Sequence, residues 1–204
     1  MKQPNYKWLP LLALFSGARI SELAGLTLSE VYKSSGVWVM YVPASRAKTE
    51  NSVREIPVHR ALVELGFLNY VEEVRSAQPL NNLVFPELVS KSRLEKCGGD
   101  LREIDFSKNG GRIFGEYLDE DFINIRDRKK VFHSFRSTFI NRLTNVNGTH
   151  PAHIMGIVGH IDNAKIDFSS PHFKTYQQKK PIQLLKQSID RLNYPFLDLS
   201  FITN

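Results

Sequence analysis

A chain of 204 residues, 42% hydrophobic and 24% charged, can bury a core without covalent staples and is too apolar to be disordered throughout. Its single cysteine, Cys97, excludes an intramolecular disulfide. No basic, apolar leader opens the chain, and the apolar run over 8–15, interrupted by Pro10, is far short of the roughly 20 residues that cross a bilayer, so a reducing cytoplasm is the expected compartment. The formal charge of +6 and a pI near 9.4 favour a polyanionic partner, although a merely solvated basic face gives the same balance.

In chain order, the Leu-rich residues 6–15 predict a helix that breaks at Gly17, with a second short helix beginning near Ser21. Residues 26–31 continue this apolar surface into another turn. The period then changes. Residues 37–42, rich in β-branched and aromatic side chains, and residues 53–58, which alternate apolar with charged, predict two strands joined by a polar turn over 44–52. Ala61, Leu62, Leu65, Leu68 and Val71 predict one helix running to about Arg75 despite Gly66. Residues 81–86 read as a short extended link, and 87–105 carry no firm signal beyond a loop at 97–100.

Gly110-Gly111 precede an expected helix through Leu118. An acidic patch, Asp119-Glu120-Asp121, then gives way to the basic run over 126–130. Phe135, Phe139, Ile140 and Leu143 form an apolar stripe on a helix over about 134–146, and Pro151 suits the first turn of a helix that ends before Gly159. Ile182, Leu185, Ile189 and Leu192 share one face of a last amphipathic helix over 181–192. The fold class is mainly α with a small antiparallel β-sheet, that is, α+β.

The candidate functional residues each have an ordinary explanation when taken singly. Arg19 and Glu22 are spaced as a helix-surface ion pair. Lys48 can blunt a hairpin tip, His133 and Arg136 can be a helix cap and a solvated side chain, Gly159-His160 can end a helix, and Tyr176 among lysines can be plain surface. His150 and His153, with His160 and His172, raise a zinc or nuclease site, but no cysteine pair and no H-E-x-x-H pattern accompanies them.

The ordered set is more specific than its members. Gly17-Ala18-Arg19-Ile20-Ser21-Glu22-Leu23, Lys48-Thr49-Glu50-Asn51-Ser52-Val53-Arg54-Glu55-Ile56-Pro57, His133-Ser134-Phe135-Arg136, Gly159-His160 and Tyr176 together resemble the catalytic domain of the tyrosine recombinases, the phage-integrase family, over nearly the whole chain. The resemblance implies that family's catalytic-core fold and a site-specific recombinase that cleaves and rejoins DNA through a 3′-phosphotyrosine, without metal, cofactor or ATP. It makes Arg19 and Arg136 the phosphate-binding guanidinium groups, Tyr176 the nucleophile, and His133 the general acid/base. Lys48 becomes the acid for the departing 5′ oxygen, His160 a hydrogen-bond donor to the phosphate, and Glu22 a supporting residue that orients the site. Tyr194, just before Pro195, is the alternative nucleophile.

The chemistry asked of these residue types is consistent with those roles. A phosphodiester repels nucleophiles and has a poor leaving group, so charge must be neutralised and a proton supplied. Guanidinium forks match phosphate oxygens in pairs and stay charged, and a tyrosine hydroxyl needs a base or a positive field to attack near neutrality. Two other functions remain open: relaxation of supercoils, as by type IB topoisomerases, and DNA binding without cleavage.

The expected organisation is a catalytic domain over 1–180 and a C-terminal amphipathic helix and tail over 181–204, packed on its own domain or on a neighbouring subunit, as members of this family commonly do. The family's N-terminal core-binding and arm-binding domains are expected to be absent from this chain. Expected partners are double-stranded DNA attachment sites, further copies of the chain forming a tetramer on DNA, and accessory DNA-bending proteins, with no membrane. The expected location is the cytoplasm, on bacterial or phage DNA.

Overall fold

The computed structural model describes residues 3–47, 52–119, 127, 131–159 and 180–199. Helices α1 (Pro4–Ser16) and α2 (Ile20–Ala24) come first, followed by a single 3-10 turn, Leu28–Glu30. Strands β1 (Val31–Ser34), β2 (Val37–Val42) and β3 (Arg54–Pro57) form one antiparallel sheet in the order β1-β2-β3. Helices α3 (Arg60–Glu64), α4 (Phe67–Ser76), α5 (Lys91–Lys96), α6 (Phe106–Asp119), α7 (His133–Thr144), α8 (Pro151–Val158) and α9 (Ile182–Ile189) follow. The fold is α+β, with helices predominating around a small sheet. Among the described residues, no helix is long and apolar enough to cross a membrane.

Helix α1 begins on Pro4, whose missing N–H is no loss in a first turn. It continues through Pro10, which costs about 3 kcal/mol in a helix interior. Trp8, Leu9, Leu11, Leu12 and Phe15 are buried along it, and at about 1.5–3 kcal/mol each they outweigh that cost several times over. The helix ends at Gly17 in the left-handed conformation, φ 65°, where its N–H donates back to the Ala13 carbonyl.

Four elements differ from the sequence expectation. The turn expected up to Val31 passes directly into β1, which pairs with β2 through a two-residue hairpin at Ser35-Gly36 with both φ values positive, 47° and 82°. That is the twist a tight hairpin needs, and Ser-Gly supplies it. The single helix expected across Gly66 is two helices, because Gly66 adopts φ 86° and ends one before starting the next. Helix α6 begins at Phe106 and runs through Gly110-Gly111 instead of starting after them. A Cβ on Gly110 would stand 2.5 Å from Ile20 Cγ1, so this glycine is the notch that lets α6 close onto α2. Helix α5 lies in the unassigned stretch; it buries no residue, and so leaves no apolar stripe to read.

One hydrophobic core takes side chains from α1, α4, α7 and the sheet, with Leu12, Phe67, Phe85, Phe139, Met40 and Ile56 fully enclosed. Helices α8 and α9 pack on β3. Helix α9 buries Ile182, Leu185 and Ile189, with Leu192 buried just beyond it, and Leu185 lies against Gly156 of α8. Beyond it, the Tyr194 hydroxyl donates to the Leu14 carbonyl at 2.8 Å, while the Asp190 carboxylate accepts the Arg60 N–H at 2.9 Å. His59, the N-cap of α3, accepts the Ala61 N–H on Nδ1 and so must carry its proton on Nε2, which donates to the Leu192 carbonyl at 3.1 Å.

Candidate functional site

Arg19 is the last residue before α2, just beyond the left-handed turn at Gly17. There its N–H would have no partner within the helix, and Glu22, one turn on, accepts it on Oε2 at 2.8 Å. The Arg19 guanidinium also donates, from Nη1 to Glu22 Oε1 at 3.1 Å. This is no surface pair: Glu22 is only 2% exposed, and Arg19 is half-buried.

A third residue completes that arrangement. Arg54, first in β3 and 7% exposed, donates from Nη1 to Glu22 Oε1 at 3.1 Å and from Nη2 to Oε2 at 2.9 Å. Its Nη1 reaches the Ser52 carbonyl at 2.8 Å, and its Nε reaches the Ile157 carbonyl, near the end of α8, at 2.7 Å. Burial alone would raise the Glu22 carboxyl, but the charge and hydrogen bonds of Arg54, with those of Arg19, hold it below its ordinary value. Arg54 lies within the quoted motif, where the resemblance assigns it no role. The signal was present in the strand period: Arg54 lies two positions from buried Ile56, on the core face, and a charge there requires a buried partner.

Arg136 arrives from one turn inside α7. It is 4% exposed and braces two distant segments, donating from Nη1 to the Gly17 carbonyl at 2.6 Å and from Nη2 to the Val158 carbonyl at 2.9 Å. The carbonyls of Ile157 and Val158, adjacent in sequence, thus each receive an arginine. Gly159 has φ 76°, and a Cβ there would meet Arg54 Nη1 and Ser52 Cα, both at 3.4 Å.

The geometry therefore brings together Arg19, Glu22, Arg54 and Arg136, with Gly17, Ser52 and Gly159 at their edges. His133 is exposed at the start of α7, one helical turn before Arg136. Lys48, His160 and Tyr176 lie outside the described residues, as do His172 and nearly all of the charged stretch over 120–130. Tyr194 is buried, its hydroxyl is committed to Leu14, and burial pushes its pKa up, all of which disfavour it as a nucleophile.

His150 and His153 have structural partners. His150 caps α8 by accepting the Ala152 N–H, and His153 shares a 2.7 Å hydrogen bond with Ser188 of α9. Among the described residues, no group of three or more His, Cys, Asp or Glu could hold a metal ion.

No protein-family model matches this chain, and neither a curated protein nor a solved structure does.

Proposed function

We propose that the chain is the catalytic domain of a site-specific tyrosine recombinase, with that family's integrase core fold. One observation carries the reading: segments far apart in sequence, 17–22, 52–54, 136 and 157–159, meet around three guanidinium groups and one carboxylate. These are the segments that hold or flank the motifs of the resemblance, and a concentration of guanidinium groups suits a phosphodiester whose charge grows in the transition state.

In this reading Arg19 and Arg136 neutralise the scissile phosphate, and Glu22 orients Arg19. The Tyr176 oxygen attacks phosphorus and loses its proton with the aid of His133. The bond from phosphorus to the 5′ oxygen breaks, Lys48 protonates that oxygen, and His160 hydrogen-bonds the phosphate. The phosphate bond is kept as a 3′-phosphotyrosine, so a 5′ hydroxyl of the same or another strand reverses the step without ATP. Attachment-site DNA, a tetramer of the chain and DNA-bending proteins are the partners this chemistry calls for, and bacterial or phage DNA in the cytoplasm is its setting.

The test is a nicked suicide duplex that loses its 5′ hydroxyl on cleavage. The full chain should form a covalent adduct that maps to Tyr176, and Tyr176→Phe should abolish it while DNA binding persists. An undiminished adduct in that variant would move the nucleophile elsewhere.

One feature favours a second reading. Arg136 spends two donors on main-chain carbonyls and is nearly enclosed, which equally suits a brace in a DNA-binding module that does not cut. DNA binding with no adduct on any nicked duplex would select it. Supercoil relaxation without strand exchange would select a topoisomerase.

A further inference from the structure

Arg54 has no part in the chemistry above, yet it ties Glu22 to the Ser52 and Ile157 carbonyls. Each oxygen of Glu22 is shared between two arginines: Oε1 takes Arg54 Nη1 and Arg19 Nη1, both at 3.1 Å, and Oε2 takes Arg54 Nη2 at 2.9 Å and the Arg19 N–H at 2.8 Å. The bonds between Arg19 and Glu22 lie within a single helical turn and tie that turn to nothing else. Through Arg54 the same carboxylate is anchored to β3 and to the Ile157 carbonyl, 103 positions from Arg54 and close to Gly159. On stability alone such a buried ion pair has little advantage, since apolar side chains of similar volume do as well or better. Its advantage is direction, because a two-pronged guanidinium fixes the plane of the carboxylate it holds.

We propose that Arg54 is a positioning residue that acts through Glu22 to aim the Arg19 guanidinium. The proposal rests on the reading of Arg19 as a phosphate-binding group. The supporting electrostatics run the same way: without Arg54 only Arg19 is left to oppose burial, which favours the protonated form, and protonation turns one of the two accepting oxygens into a donor.

The test uses the full chain and the variants Arg54→Gln, Arg54→Lys and the double variant Arg54→Gln/Glu22→Gln, each checked for cooperative thermal unfolding. Arg54→Gln should slow single-turnover adduct formation on the nicked duplex by about tenfold or more near neutrality. It should also move the acid limb of the pH profile upward by about one unit or more, and the double variant, which keeps His133 but has no carboxyl at position 22, should lose that upward shift. Arg54→Lys keeps the charge but not the fork, so its rate should fall at every pH with the limb in place. A pH profile in Arg54→Gln parallel to the parent, or a parental rate in Arg54→Lys, would overturn the proposal.

A second readout needs no DNA. The Arg19 Nε–H order parameter from NMR should fall in Arg54→Gln, or in Arg54→Lys if the former does not fold, and an unchanged value would overturn the proposal. Absence of any adduct with the parent protein would instead remove the recombinase reading and leave the Arg19 measurement to decide the role of Arg54.

Discussion

A methyl group on residue 17 has nowhere to go. Gly17 sits at φ 65°, and a Cβ there would come 2.4 Å from Phe139 Cδ1, inside the core that α1 and α7 share. Gly17→Ala must therefore bear both left-handed backbone strain and a clash with a fully enclosed ring, and should lose about 2–4 kcal/mol in urea unfolding. Gly36→Ala is the matched control: its φ is also positive, 82°, but nothing lies within 4 Å, so it should lose only the strain, about 1–2 kcal/mol. The break at Gly17 was legible from the residue type, whereas the ring that makes it irreplaceable lies on another helix and leaves no local trace. Arg19 and Glu22 were legible as a pair in the same limited way. Their spacing shows that they can touch, but whether the contact is a surface ion pair or an enclosed one depends on burial and on distant partners such as Arg54, 32 positions after Glu22.

At the level of elements, α9 is held by groups whose protonation matters. His59 is enclosed, and burial lowers its pKa to about 4 against the usual 6.5. The unfolded chain takes up a proton near pH 6.5 and the folded one does not until about 4, so folding is opposed increasingly as pH falls across that window. The stability present above pH 6.5 should thus decline by about 3 kcal/mol by pH 4. His59→Asn, which keeps a cap acceptor but gains no proton, should flatten that part of the curve in denaturant titrations. Truncation after Lys180 is the more drastic test of the same contacts. Burial of Ile182, Leu185, Ile189 and Leu192 is worth about 6–12 kcal/mol, comparable to the whole stability of a domain, so the shortened chain should lose cooperative thermal unfolding. The amphipathic stripe of α9 was readable from its period, because period reports which side is apolar. What that side packs on is set by the β3 and α8 surfaces, which period does not report. Elements without such a stripe, α5 and the short edge strand β1, were missed for the converse reason.

For the molecule as a whole, the same contacts close the fold on itself. The common core includes Leu192 and Tyr194, and the Tyr194 hydroxyl meets a carbonyl 180 positions earlier. Arg54 and Arg136 add ties across 103 and 119 positions. A fold with so many distant pairings forms late, because loop closure must be met before the contacts reward it. On the ribosome this sets an order of events. The first helix emerges with Trp8, Leu12 and Phe15 uncovered, and its final partners are nearly the last residues described here. The guanidinium cluster cannot assemble before α8 has been made. A nascent chain halted before residue 180 would therefore leave the apolar surface of α1 open to chaperones, because the residues that close over it have not yet been made.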